Sequence, residues 1–140
     1  MDSLTRLPMP ASLLYCLVAG AVLIYVPFLA VGAARFQLGY DCSAPRAMFD
    51  KLPPYAQRAT WAHQNAFEAF ILFAPAVLMA YVTGQTSVWA LVAAIAHLTA
   101  RFLYSIFYIL DIPALRSLMF GIGGLGTFTL FIMSCRSAVM

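Results

Sequence analysis

Long apolar runs separated by short polar breaks make up almost the whole chain. Four runs, at about 10–34, 56–83, 86–110 and 113–135, approach or exceed the roughly 20 helical residues that cross a hydrocarbon core. Thr83-Gly84-Gln85-Thr86 is a polar turn, and Asp111-Ile112-Pro113 ends the third run. Pro113 then falls in the first turn of the fourth helix, where its missing N–H is not needed. The only longer connection, about 35–56, carries Arg35, Asp41, Arg46, Asp50, Lys51 and the pair Pro53-Pro54. Non-helical backbone cannot face lipid, so this segment belongs in the headgroup region or in water. Pro27 and Pro75 fall inside runs and predict kinks, the freed carbonyls being satisfied by neighbouring helices. With no repeat period, the pattern predicts one domain over 1–140. Its fold class is all-α, an integral membrane four-helix bundle of up-down-up-down topology.

Composition excludes a soluble domain: 64% of the 140 residues are hydrophobic and 9% charged, against roughly 45–50% and 25% in soluble proteins. Arg6 before the first run and small residues after it mimic a secretory signal, but a signal core is about 7–15 residues, shorter than this run. A retained first helix is expected. The three cysteines, Cys16, Cys42 and Cys135, have neither disulfide-framework nor metal-ligand spacing and are read as free thiols. Arg35, Arg46, Lys51, Arg58, Arg101 and Arg116 belong to the side of the first and third loops, while Arg6 and Arg136 flank the termini. This bias predicts that both loops are cytoplasmic. The basic residues are neither clustered on a soluble face nor interleaved with exposed aromatics, so no nucleic-acid partner is expected.

Polar side chains within the spans carry the candidate chemistry. Residues 58–68, RATWAHQNAFE, put Arg58, Trp61, Asn65 and Glu68 on one face of a helix, and His97, Arg101, Tyr104 and Tyr108 form a second stripe on the third span. At 1.5 Å per residue, Asn65 and Glu68 lie roughly 14 and 18 Å below the start of their span, and Arg101 roughly 14 Å from the end of its own. Both ends emerge on one membrane face, so the stripes share a leaflet and an Arg101–Glu68 ion pair is expected. A buried intramembrane charge is paired or lines a wet cavity. The stripes therefore act as interhelical polar glue or as the wall of a ligand cavity, and the surplus of polar groups favours the cavity. Arg116 and Ser117, one turn into the fourth span, bring a cation to the same face; alone, Arg116 also suits a positive-inside anchor. Cations around a carboxylate suit a zwitterionic ligand with carboxylates and an amino group. GIGGLG at 121–126 spells a dinucleotide-binding pattern, but it lacks the preceding strand and lies mid-span, so it is read as small residues for close helix packing.

Ala62-His63-Gln64-Asn65-Ala66-Phe67-Glu68, followed by Arg101, Tyr104, Tyr108 and Arg116-Ser117, resembles the MAPEG family, which includes microsomal glutathione transferases, leukotriene and prostaglandin E synthases and bacterial relatives. The resemblance covers nearly the whole chain. It implies a homotrimer holding glutathione as co-substrate between subunits near the cytoplasmic membrane face. The short chain without a long extra loop leans towards a bacterial inner membrane over an endomembrane. It further implies that Asn65 and Glu68 hold the γ-glutamyl end, that Tyr104 and Tyr108 line the site, that Arg101 supports the carboxylate, and that Arg116 stabilises the thiolate as the catalytic residue. Arg35 would reach glutathione from the first helix, with Arg58, His63 and Ser117 completing the binding set and no metal involved. The implied activity is a transferase or peroxidase acting on hydrophobic, lipid-dissolved substrates. One position departs from the pattern: where well-studied members carry an arginine four residues before the asparagine, this chain has Trp61. Trp61 also suits an interfacial anchor and supports the alternative of a non-catalytic trimeric scaffold or lipid- or thiol-binding protein. A transporter is disfavoured because no inverted repeat or matched pair of broken helices is visible.

Overall fold

The computed structural model describes residues 9–139; Arg6 lies outside them. The chain folds into α1 (Met9–Leu23), α2 (Val26–Gln37), a short 3-10 helix (Pro45–Lys51), α3 (Pro54–Val82), α4 (Val88–Ile109) and α5 (Pro113–Val139), with no strand among the described residues. Four segments are long and apolar enough to span a membrane, α1 and α2 together forming the first.

The first span breaks rather than kinks. Pro27 lacks an N–H and its ring crowds the carbonyl four residues back, so α1 stops at Leu23 and α2 starts at Val26. Tyr25 N donates to Val22 O at 3.0 Å. The Ile24 carbonyl lies 2.7 Å from His63 Nδ1 on α3 and accepts from it when the proton is on that nitrogen. By contrast, α3 continues across Pro75.

Local chemistry sets the connections. Asp41 Oδ1 accepts from the N–H groups of Ser43 (2.9 Å) and Ala44 (3.3 Å), a side-chain turn that leads into the 3-10 helix. Between α3 and α4, Gly84 has a φ of 66°, where a side chain would be strained. Gln85 anchors that turn to α5 by donating to Met133 O at 2.9 Å and to Ser137 Oγ, and Ser87 caps α4 by accepting from Trp89 N at 3.3 Å. At the opposite end Arg58 Nε donates to Ile109 O at 3.0 Å, and its guanidinium lies 3.8 Å from Asp111, which has a φ of 60°. The start of α3 is thereby tied to the end of α4.

Packing is most extensive between α4 and α5. A Cβ on Gly126 would lie 2.6 Å from the Ala93 carbonyl, and one on Gly123 3.3 Å from Arg101 Cδ, whereas at Gly121 and Gly124 it would meet nothing within 4 Å. Gly123 and Gly126 of GIGGLG thus let two backbones approach. Leu13, Phe73, Val77, Leu91 and Leu130 belong to one apolar cluster, and Val31, Ala34, Leu52, Ala56 and Ala59 form a second nearer the first loop. Along α3 and α4 a polar layer separates them, containing Asn65, His97 and Arg101.

Candidate functional site

The polar layer is assembled from three helices. On α4, steps of four and three place His97, Arg101 and Tyr104 on the buried face. His97 stacks on Phe73 with centroids 3.9 Å apart and planes 2° from parallel. Its Nδ1 lies 3.0 Å from Gly123 O and 2.9 Å from Thr127 Oγ1, fastening α4 to α5.

Arg101 reaches towards α3, where its Nη2 donates to Asn65 Oδ1 at 2.7 Å, and Asn65 Nδ2 donates to Glu68 Oε2 at 3.0 Å. The expected Arg101–Glu68 ion pair is therefore replaced by a bridge. An amide has an acceptor at one end and donors at the other, so Asn65 links a buried cation to an outward-facing carboxylate without direct contact between them. Among the described residues the only ion pair is Arg58–Asp111.

The chain of contacts continues through aromatic faces. The Arg101 guanidinium lies 4.2 Å from the Tyr104 ring centroid, Tyr104 meets Tyr108 edge-on at 5.6 Å, and Arg116 lies 4.7 Å from the Tyr108 centroid. Tyr104, Tyr108, Arg116, Ser117 and Phe120 line a cavity of about 270 Å³. Glu68 is exposed on the surface of the single chain, although it lies about 21 Å along α3 from its start. A carboxylate at that depth needs protein or water on its open side.

Three sequence-predicted residues fall elsewhere. Arg58 is occupied at the α3–α4 end. Arg35 and His63 line a separate cavity of about 860 Å³ between α2, the first loop and α3, together with Arg46, Gln64, Phe28 and Phe67. Within one chain they do not join Asn65 and Glu68. Arg35 is 7% exposed, with its guanidinium 5.7 Å from the Phe28 ring, and its Nε has no hydrogen-bond partner among the described residues. His63 is held by the carbonyl freed at the helix break. Sequence reasoning did not single out Phe120 or Thr127. Phe120 was findable, since it stands four residues after Arg116 on the same helical face; Thr127 required knowing that α5 packs on His97. Trp61 is 43% exposed and lies between Phe49 of the first loop (5.8 Å) and Tyr108 (6.5 Å).

Cys16 is buried and Cys42 and Cys135 are exposed, all three as free thiols. Among the described residues no group of three His, Cys, Asp or Glu side chains is arranged to hold a metal.

Residues 12–136, nearly the whole chain, match the model of the MAPEG family. No curated protein and no solved structure matches the chain.

Proposed function

Because this chain belongs to the MAPEG family, whose field is glutathione and eicosanoid metabolism, we propose that it is a glutathione-dependent transferase or peroxidase acting on hydrophobic electrophiles or lipid hydroperoxides. The observation that carries this reading is the unbroken line of contacts from Glu68 through Asn65, Arg101, Tyr104 and Tyr108 to Arg116. Glutathione offers an ammonium group, two carboxylates and a thiol, and this line opposes a carboxylate at one end to a cation at the other.

In this reading Glu68 and Asn65 hold the amino-acid end of the tripeptide, and Tyr104, Tyr108 and Ser117 line its path. Arg116, half-buried and free of any carboxylate among the described residues, faces the sulfur. A free thiol has a pKa of about 8.5, and an adjacent guanidinium lowers it. The thiol proton leaves to water at the cavity mouth. The sulfur lone pair then attacks an electrophilic carbon and expels a leaving group, or attacks a peroxide oxygen, breaking the O–O bond so that the alkoxide leaves and takes a proton from water as the alcohol. The sulfenic acid formed on the sulfur is reduced by a second glutathione to the disulfide and water. Holding a water-soluble thiol beside a lipid-soluble reactant supplies the remaining advantage through proximity.

Two features support an oligomer, which our reading takes to be a homotrimer. Glu68 faces outward mid-span and needs cover, and the cations suited to the two carboxylates, Arg35 and Arg46, lie in the other cavity. A neighbouring copy resolves both by bringing its Arg35 cavity against the Asn65–Glu68 face. The basic bias of the first and third loops supports a site at the cytoplasmic side, in our reading of a bacterial inner membrane.

Calorimetric titration of glutathione into the detergent-purified protein tests the reading. Glu68→Gln is expected to weaken binding about tenfold, or roughly 1.4 kcal/mol. Arg116→Ala is expected to keep most binding while losing the ultraviolet absorbance of the bound thiolate. Absence of binding in a folded oligomer would favour a non-catalytic scaffold. Trp61, packed over Tyr108 at the head of the stripe, is the observation on that side.

A further inference from the structure

The break in the first span leaves a carbonyl without its helical partner. In an α-helix the oxygen of residue 23 accepts from the N–H of residue 27, and residue 27 is a proline, which has none. No other backbone group donates to Leu23 O among the described residues. Leu23 lines a cavity between α1, α3 and α4, together with Ala66, Phe70, His97, Leu98 and Arg101. The space open to the centre of a water there is about 10 Å³, and roughly 10–15 Å³ is the least that holds one water. Two side chains of α4 bring further unmatched groups to this cavity. Arg101 is 8% exposed, and its Nε–H has no hydrogen-bond partner among the described residues. His97 is 4% exposed. Thr127 gives its one hydroxyl proton to Gly123 O at 3.2 Å, so its oxygen accepts from His97 Nδ1 at 2.9 Å, and Gly123 O, 3.0 Å from the same nitrogen, can only accept. The imidazole proton therefore sits on Nδ1, and Nε2 is a bare acceptor.

We infer that one ordered water occupies this cavity and joins α1 to α4, accepting from Arg101 Nε–H and donating to Leu23 O and His97 Nε2. The inventory of the walls selects the occupant. One donor and two acceptors lack partners, and a water supplies one acceptor and two donors to match them, the roughly three bonds that buried waters make. An anion would meet the lone pairs of Leu23 and His97, and a metal cation would meet the guanidinium. An organic ligand is too large for the space. Burial supplies the drive, because a polar group taken from water without a hydrogen bond is costly. The water gives the loosened end of α1 an attachment to α4, as His63 gives it one to α3. It also holds the Arg101 guanidinium from the Nε side while Asn65 holds Nη2, so the polar layer extends to all four spans. This inference does not depend on the glutathione reading.

X-ray radiolysis of the detergent-purified protein, read by mass spectrometry, tests the site, since hydroxyl radicals formed from a bound water oxidise the side chains around it. Two leucines give the comparison: Leu98 on the cavity wall and Leu130, fully buried in the apolar cluster. Leu98 and Phe70 are expected to be oxidised well above Leu130. In Ala66→Val two methyl groups take the water's space, and the signal at Leu98 and Phe70 is expected to fall to the level of Leu130. Pro27→Ala returns an N–H to Leu23 O and is expected to weaken the signal; it carries the test alone if Ala66→Val does not fold. Oxidation of Leu98 no greater than that of Leu130 in the parent, or an undiminished signal in either variant, overturns the inference. Thermal scans give a second reading. Displacing a bonded water leaves three groups unmatched, so Ala66→Val is expected to lower Tm, whereas filling a dry void raises it. A raised Tm would mean that the cavity is dry.

Discussion

Asn65 is the residue on which the polar layer turns. Its amide accepts from Arg101 and donates to Glu68, so replacing it strips a partner from a buried cation and from a carboxylate at once. Asn65→Leu is expected to lower the unfolding free energy in detergent by about 1–3 kcal/mol, the cost of leaving such groups unsatisfied, read by denaturant titration of circular dichroism. Asn65→Asp restores the contact to Arg101 but sets a second carboxylate beside Glu68, so it is expected to recover only part of the stability lost with leucine. The three- and four-residue spacing already put Asn65 and Glu68 on one helical face. The same spacing put Arg58 there too, yet that side chain turns to the end of α4 because an unpaired carbonyl and Asp111 wait there. His63 is drawn likewise to the Ile24 carbonyl, which lies at the break between α1 and α2. Periodicity reports which face a side chain starts from; which partner captures it depends on elements far away in the chain.

Among elements, α4 and α5 are the pair whose separation is most tightly set, and glycines set it unequally. Gly126→Ala drives a methyl to within 2.6 Å of a backbone carbonyl that cannot swing aside, and should cost about 1–3 kcal/mol. Gly121→Ala meets open space and should be neutral or stabilising by up to about 1 kcal/mol through helix propensity. Thermal scans of both variants in one detergent check the contrast; equal effects would mean that the close approach does not control packing. The helices themselves were readable from apolar runs because membrane length and composition leave few alternatives. The split at Leu23–Val26 was not, since proline in a span signals a disturbance without saying whether the chain bends or restarts. At the break here, a histidine on another helix meets the Ile24 carbonyl, a contact between elements 39 residues apart in the chain that local sequence does not announce. The 3-10 helix of the first loop was equally hidden, being too short for a periodic signal.

For the whole molecule, one chain displays two half-sites on opposite sides of α3, one carboxylate-bearing and one cationic. Coexpressing Arg35→Ala subunits with Arg116→Ala subunits, each inactive alone, is expected to return about a quarter of parental activity, the fraction of neighbouring pairs that combine two intact halves in a cyclic oligomer. No recovery in verified mixed oligomers would mean that each site is built within one chain. The buried arginine of α4 carries a consequence of another kind, one of chronology. An arginine at the centre of a spanning helix costs about 2.5–3.5 kcal/mol to insert alone. Asn65, its partner, was synthesised 36 residues earlier, whereas the α5 groups that hold His97 are made 26 and 30 residues later. α4 therefore enters a bilayer where α3 already offers the arginine a partner, and it is locked only when α5 follows: the polar layer that defines the site also writes an order of assembly into the nascent chain.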